Sequence, residues 1–570
     1  MRTSKKSALA IITTLLVVMA VVLSACGANS SSTSNTGKAP ANKQNLNLPL
    51  AGISDIKTFD PAMATTSTSL DAISMVFTGL VTLDNSQKVV PELAQSWTTS
   101  SDGLTWTFKL KPNLKFSDGT PLTSTDVVYS LDRALQPALA SPAAPSYLNL
   151  IKDSDKLLAG KIKTIIGDSL LAPDANTVVI KINKPVAYFL ATLTYSTGDV
   201  VEKKLIDKYG NTKFTDHLNE GGGSGPFEVK SYTHGKNIVL APNPNYVKAK
   251  PIVTVTYTFY KDTTTAFQTY RNGQVDEAAV PTANLSQVVN GGEYHKTPEL
   301  AIFYYGLNFL SKPFDNLKIR QAFDLAINKT EVASVVYKNV NTATNHIIPN
   351  GMPGYNANLT GPDGTTSTSG NPTMAKKLFA EGIKEEGYAS VSAMPKLSFP
   401  YASGSSDEDK EIAIVVQEWK DVLGVSVQAA PTDFETLSSQ VAQNNGKATI
   451  AMFQTGWIDD YPDPQDFTTL QFVANSPNNS TNYGQNKSAD AATQVTTQNA
   501  LQAADIEKDS AKRLTMYNTA EQQLVNDVAW LPMYQANASA VLKSYVQGFS
   551  FNASGLIPPF NWADVYITNH

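Results

Sequence analysis

A chain of 570 residues is too long for a single core, so two to four domains are expected. Its 42% hydrophobic and 17% charged residues exclude a disordered chain. A net charge of −5 excludes a nucleic-acid binder, which needs a basic patch.

The first 25 residues form a unit. Arg2, Lys5 and Lys6 precede residues 8–23, which are uncharged and largely apolar. This is the pattern of a secretory signal segment; the alternative is a spanning anchor, since the run is about long enough to cross a bilayer. Leu23-Ser24-Ala25-Cys26 separates the two, because it resembles the bacterial lipobox. That resemblance implies cleavage before Cys26 and lipidation of its thiol. Acyl chains there would hold the mature chain on a membrane, at about 0.8 kcal/mol per buried methylene. Losing Arg2, Lys5 and Lys6 takes the net charge from −5 to about −8. Cys26 is the only cysteine, so no intramolecular disulfide is expected even in an exported chain. Residues 26–45 are rich in Ser, Thr, Asn, Gly and Ala and too poor in apolar side chains to pack, so a flexible tether is expected.

The body follows. Residues 47–52 predict a strand, and residues 69–83 carry Ile73, Val76, Phe77 and Leu80 at helical spacing. Ser101-Asp102-Gly103 is a hairpin turn, and residues 104–110 alternate as a half-buried strand. Thr123-Ser124-Thr125-Asp126 reads as a capping box for a helix with Val127, Leu131 and Leu135 on one face. Strands are predicted at 177–182, 238–241, 252–260 and 302–308, and helices at 317–328, 411–423 and 511–525. Gly424 closes the second of these helices, and residues 425–428 continue it as an α/β unit. Residues 356–373 read as a loop, residues 475–500 as Asn/Thr/Gln-rich surface, and the end as a short strand region. No repeat appears at a fixed period. Alternating strands and helices beside hairpins predict an α/β protein with mixed sheets.

Gly456-Trp457-Ile458-Asp459-Asp460-Tyr461-Pro462-Asp463-Pro464 stands out. Two prolines make it a loop or strand end, and residues 449–453 before it predict a buried strand. A carboxylate is expected at the lip of a sheet beside the Trp457 indole, an arrangement suited to a cation with an organic body, such as a free amino terminus. Asp459, Asp463 and Asp466 read as solvated loop acids or caps. They lack the glycine and terminal glutamate of an EF-hand.

Other chemistries find little support. Gly221-Gly222-Gly223-Ser224-Gly225 has neither a Gly-Lys-Ser/Thr ending nor G-x-G-x-x-G spacing, so a tight chain reversal is expected instead of a phosphate loop. His217, His234, His295, His346 and His570 are scattered, with no metal-ligand spacing. No HExxH or Gly-x-Ser-x-Gly motif points to a peptidase. The chain is therefore read as no enzyme, with no cofactor and no metal.

Several stretches together resemble the extracellular solute-binding family 5, the oligopeptide- and dipeptide-binding proteins of ABC importers. They are Pro91-Glu92-Leu93-Ala94-Gln95-Ser96-Trp97, Ser101-Asp102-Gly103-Leu104-Thr105-Trp106, Phe116-Ser117-Asp118-Gly119-Thr120-Pro121-Leu122, Gly223-Ser224-Gly225-Pro226-Phe227, Ile319-Arg320-Gln321-Ala322-Phe323 and the 456–464 stretch. The resemblance covers about residues 46–570. It implies a two-lobed periplasmic-binding-protein type II (cluster C) fold with a hinge and three domains. Domain I would combine 46–77, 201–302 and 526–570, domain II would be 78–200, and domain III, the second lobe, 303–525.

The resemblance also implies the site. Asp460 would pair with a peptide α-ammonium. Gly456, Trp457 and Ile458 would line the ligand from the second lobe, with Thr65, Thr66 and Ser67 facing them from the first. Many peptide binders carry Ser-Pro-Tyr where this chain has Ser141-Pro142-Ala143, so an aromatic wall of the pocket is expected either to be missing or to be replaced by Tyr147. The implied partners are a peptide, the permease subunits and, through the lipid, the outer face of a membrane; a monomer is expected. A sugar or nickel-complex ligand and a pheromone-sensing role remain alternatives within the family.

Overall fold

In a computed structural model, residues 37–474 and 476–570 are described. The signal segment, Cys26 and most of the tether lie outside these residues. No helix among the described residues is long and apolar enough to cross a membrane.

The chain folds as two lobes of mixed α/β structure joined by a pair of long strands. In the first lobe, Asn45–Ala51 runs parallel to Thr254–Tyr260, followed in order by Asn237–Pro242 and Phe227–Thr233. Leu46, Leu48 and Leu50 alternate into the core on one face, as a half-buried strand requires. This sheet packs with the helix Ser67–Val76 and with Trp562 and Val565 from the end of the chain. A second sheet orders Ala94–Thr99, Thr105–Leu110, Thr177–Lys181 and Leu170–Asp174, all antiparallel. It is covered by the helix Ser124–Ala134, which starts on the capping box: the Asp126 carboxylate accepts from the Thr123 backbone N–H at 2.8 Å. Such a cap contributes about 1 kcal/mol.

The second lobe holds the parallel pair Leu397–Ala402 and Val427–Thr432, joined by the helix Ser406–Leu423. Gly424 takes φ +71° behind that helix, the left-handed conformation that ends it. Trp419 is fully buried there, and its indole N–H donates to the Phe323 carbonyl at 2.9 Å.

Tyr294–Leu307 and Leu531–Leu542 link the lobes. They pair with each other on both sides of the crossing; at one end Leu531–Leu542 also pairs with Glu277–Ala279 of the first lobe, and at the other Tyr294–Leu307 pairs with Met452–Ile458 of the second. Between Pro298 and Ile302 the register slips: Pro298 faces Asn537 whereas Ile302 faces Gln535. This irregularity lies where the strands pass from one lobe to the other.

Several elements differ from the sequence expectation. The helix expected over 69–83 ends at Val76, and Val81–Leu83 is a strand. Gly223 and Gly225 press on the backbone of Val76, where a Cβ on Gly225 would lie 2.7 Å from the Val76 carbonyl carbon. The strand expected at 449–453 is Met452–Ile458. The loop expected over 356–373 is present as far as Asn371, where the helix Pro372–Glu385 begins. The short terminal strand is the 12-residue Leu531–Leu542. The supposed polar surface at 475–500 contains much of the helix Ala491–Ile506, and Asn479, Thr481, Asn482 and Tyr483 are buried.

Candidate functional site

The strand Met452–Ile458 ends with Ile458, 42% exposed, and Asp459 still donates its N–H to the Leu300 carbonyl at 2.9 Å. The chain then turns. Asp463 caps the short helix Pro464–Phe467 by accepting from the Gln465 N–H at 3.0 Å, and Pro464 fits its first position. Arg513 clamps the Asp463 carboxylate with two bonds of 2.9 and 2.6 Å. Asp459 and Asp460 are thus held between a sheet edge and a braced turn.

Asp466 supports them from inside. It is fully buried, and one oxygen accepts both the Trp457 indole N–H at 3.2 Å and the Asp460 backbone N–H at 3.1 Å. The expectation of solvated loop acids fails for Asp459 and Asp466, which are buried; only Asp463 serves as a cap.

Tyr147, from the first lobe, donates its hydroxyl to the Asp460 carboxylate. Its ring stacks on Tyr195 at 3.8 Å, and the Tyr195 hydroxyl donates to the Ala64 carbonyl at 3.0 Å. Tyr461 and Leu470 of the second lobe join the core built on residues 62–200. The lobes are therefore closed on each other.

Between them lies a cavity of about 110 Å³ whose walls include Leu70, Phe77, Tyr195, Asp459, Asp460 and Pro558. A second cavity, of about 290 Å³, shares Ser74, Asn552, Leu556 and Ile557 with the first, so one cleft runs along the helix Ser67–Val76.

The electrostatics are one-sided. Burial pushes the Asp460 carboxyl up to about 7, against the hydrogen bond from Tyr147. Burial also pushes Asp459 well above the carboxylate range, with the charges of Asp460 and Glu299 adding to it. Asp466 shifts the same way, first by burial and then by Asp460 and Asp459. Asp459 is 8% exposed, and neither of its buried oxygens has a hydrogen-bond partner. A buried carboxylate without a partner costs several kcal/mol when ionised, about what a matching cation would recover. The arrangement is suited to receiving a positive group.

The other expected residues fall into two sets. Trp457 and Tyr147 meet the acids directly. Gly456 is a packing position: a Cβ there would lie 3.0 Å from the Phe303 ring. Thr65 and Ser67 are exposed and Thr66 is half-buried at the head of the helix whose later residues Leu70, Ile73 and Ser74 line the cleft. Thr66 donates to the Ser69 hydroxyl at 3.1 Å. None of the three lines either cavity. Sequence reading missed Tyr195, Asp71, Glu277 and Glu299. Asp71 carried a signal, an acid between the buried-face residues Leu70 and Ala72; the other three carried none.

The profile of the Bacterial extracellular solute-binding proteins, family 5 Middle, matches residues 88–480. The chain belongs to this family. Among family 5 relatives, the periplasmic oligopeptide-binding protein OppA of Escherichia coli is 29% identical over 508 residues, 87% of this chain and 88% of that protein. The dipeptide-binding protein DppE of Bacillus subtilis is 27% identical over 518 residues, 89% of each. The crystal structure of Haemophilus influenzae OppA in complex with RPPGFSPFR superposes with a TM-score of 0.76 at 23% identity, over 92% of this chain and 99% of that one. The last match shows the shared fold.

Proposed function

We propose that this family 5 protein captures peptides in its interlobe cleft and hands them to the permease of an ABC importer. Asp459 and Asp460 would receive the peptide's α-ammonium, and the Trp457 edge and Tyr147 would flank it. The single observation that carries this reading is a nearly buried, wholly unpartnered acid, Asp459, beside the half-buried Asp460 at a cavity closed by a residue of the opposite lobe. Relatives named as oligopeptide- and dipeptide-binding proteins support a peptide as ligand. A peptide keeps its backbone and charged ends whatever its sequence, so anchoring the amine fixes register without reading side chains.

The proposal extends to organisation. Domain I would comprise 46–77, 201–302 and 526–570, domain II 78–200 and domain III 303–525. The core that joins residues 39–77, 201–257 and 542–567 supports the first of these. Lipidation at Cys26 would tether the monomer outside the membrane beside its permease, with the lobes closing on ligand to form the docking-competent state.

The test is Asp460→Asn, measured by calorimetry against one peptide in free and N-acetylated forms. Loss of about 2–5 kcal/mol for the free peptide, with little change for the acetylated one, is expected. Equal losses for both forms would remove the ammonium anchor.

A further inference from the structure

The larger cavity carries acids that the ammonium anchor does not use. Asp71 projects from the helix Ser67–Val76, Glu277 from the short strand Glu277–Ala279, and Glu299 from the register slip between the lobes. None of the three side chains has a hydrogen bond or ion pair among the described residues. Burial pushes Asp71 and Glu299 each to about 7, and burial with the charge of Asp71 pushes Glu277 to about 8. Asp459 feels the charge of Glu299, so the anchor and this trio act on one space.

The lining of the two cavities contains Asp71, Asp84, Asp199, Glu277, Glu299 and the 459–460 pair, but no lysine, arginine or histidine. A cleft that holds so many acids without a base gives a bound carboxylate nothing to pair with. It also leaves more negative charge than one ammonium neutralises. The trio is walled by Tyr257, Phe549, Phe551 and Trp562, and rings beside carboxylates suit an aliphatic stem ending in a cation. Asp459, nearly buried and unpartnered, lines the adjoining cavity and feels the charge of Glu299, so the shortage of positive charge extends along the cleft.

We infer that Asp71, Glu277 and Glu299 form a second cation subsite, so that the cleft selects ligands carrying at least two positive groups. Resting on the peptide reading above, these are peptides with a lysine or arginine side chain directed at the trio while the α-ammonium sits at Asp459 and Asp460. A free polyamine has the same chemistry of spaced ammonium groups, and the experiment separates the two sources.

Calorimetry would compare alanine tripeptides carrying one lysine, norleucine or glutamate at the second or third position, together with spermidine. Lysine at one of these positions should bind at least tenfold tighter than norleucine there, and glutamate weaker than norleucine. In the double variant Asp71→Asn, Glu277→Gln, the lysine-to-norleucine ratio should fall to within twofold. Neutral peptides binding as well as lysine peptides at both positions would overturn the subsite and leave the peptide reading standing. A preference that survives the double variant would also overturn it. If spermidine binds, loses affinity in the double variant, and no peptide binds, the subsite stands and the peptide reading falls. Binding of neither class overturns both. The wild-type comparison decides the matter even if the double variant does not fold.

Discussion

At the scale of single residues, the site is governed by the cost of burying charge. Asp460 sits at about 7 because it has left water, with one hydroxyl donor from Tyr147 as compensation. An arriving ammonium favours the ionised form, so binding must expel a proton wherever the free site holds one. Below about pH 7 the free site is protonated, and affinity for an amine should fall as pH drops from 8 to 5, approaching tenfold per unit. Titration calorimetry in buffers of different ionisation enthalpy would show it, as proton release that grows on the acid side. A pH-independent affinity over this range would mean that Asp460 does not meet the amine. The acids at 459, 460 and 463 could be picked out by eye in the sequence. Their division of labour could not, because whether a loop carboxylate is solvated depends on Tyr147 and Tyr195, more than 260 residues away in the chain.

At the scale of elements, the cleft wall depends on how the helix Ser67–Val76 is stopped. Gly225 donates its backbone N–H to the Val76 carbonyl at 2.8 Å, and Thr78 and Ser224 bond side chain to backbone alongside. No side chain fits between these two backbones. Gly225→Ala should therefore lower stability by about 1–3 kcal/mol, read as a drop in melting temperature, and should weaken ligand binding because Leu70, Ile73 and Ser74 move with the helix. An unchanged melting temperature would show that the two segments separate freely.

The need for positive φ in the glycine run was legible, since Gly221 and Gly222 adopt it, and the capping box at Thr123 and the helix before Gly424 were legible from local chemistry. The helix Ala491–Ile506 was not. Its sequence is rich in Thr and Gln, and its inward face carries Gln494, Thr497 and Gln498 beside Leu501 and Ala504. Gln498 faces inward because its amide donates to the Phe472 and Tyr483 carbonyls at 2.7 and 2.8 Å. A helix that buries amides on tertiary acceptors has no apolar stripe for a sequence reader to find.

For the molecule as a whole, closure brings like charges together. Asp71, Glu277, Glu299, Asp459, Asp460 and Asp466 all bind protons more tightly in the closed form than in water. The sign follows directly. Groups with raised values favour the closed state at low pH, where they are neutral, and that advantage is lost as pH rises through about 7 to 8. Small-angle scattering on ligand-free protein should show the radius of gyration growing between pH 5 and pH 8, with a lysine peptide reversing the growth. A constant radius would show that these acids return no charge to water when the lobes part. Two lobes, a hinge and mixed sheets were readable from motif order across the chain. The surplus of negative charge was not, because Asp71, Glu277 and Glu299 are neighbours only in space.

The slip in pairing between Pro298 and Ile302 has a mechanical consequence. Leu300, inside it, accepts the backbone N–H of Asp459. If the lobes swing about this point, the anchor and the Tyr147 hydroxyl bonded to it lie close to the pivot, where displacement is least, and the far rim of the cleft travels farthest. A guest can then be gripped at one end while the doorway is still ajar, and held there as it shuts.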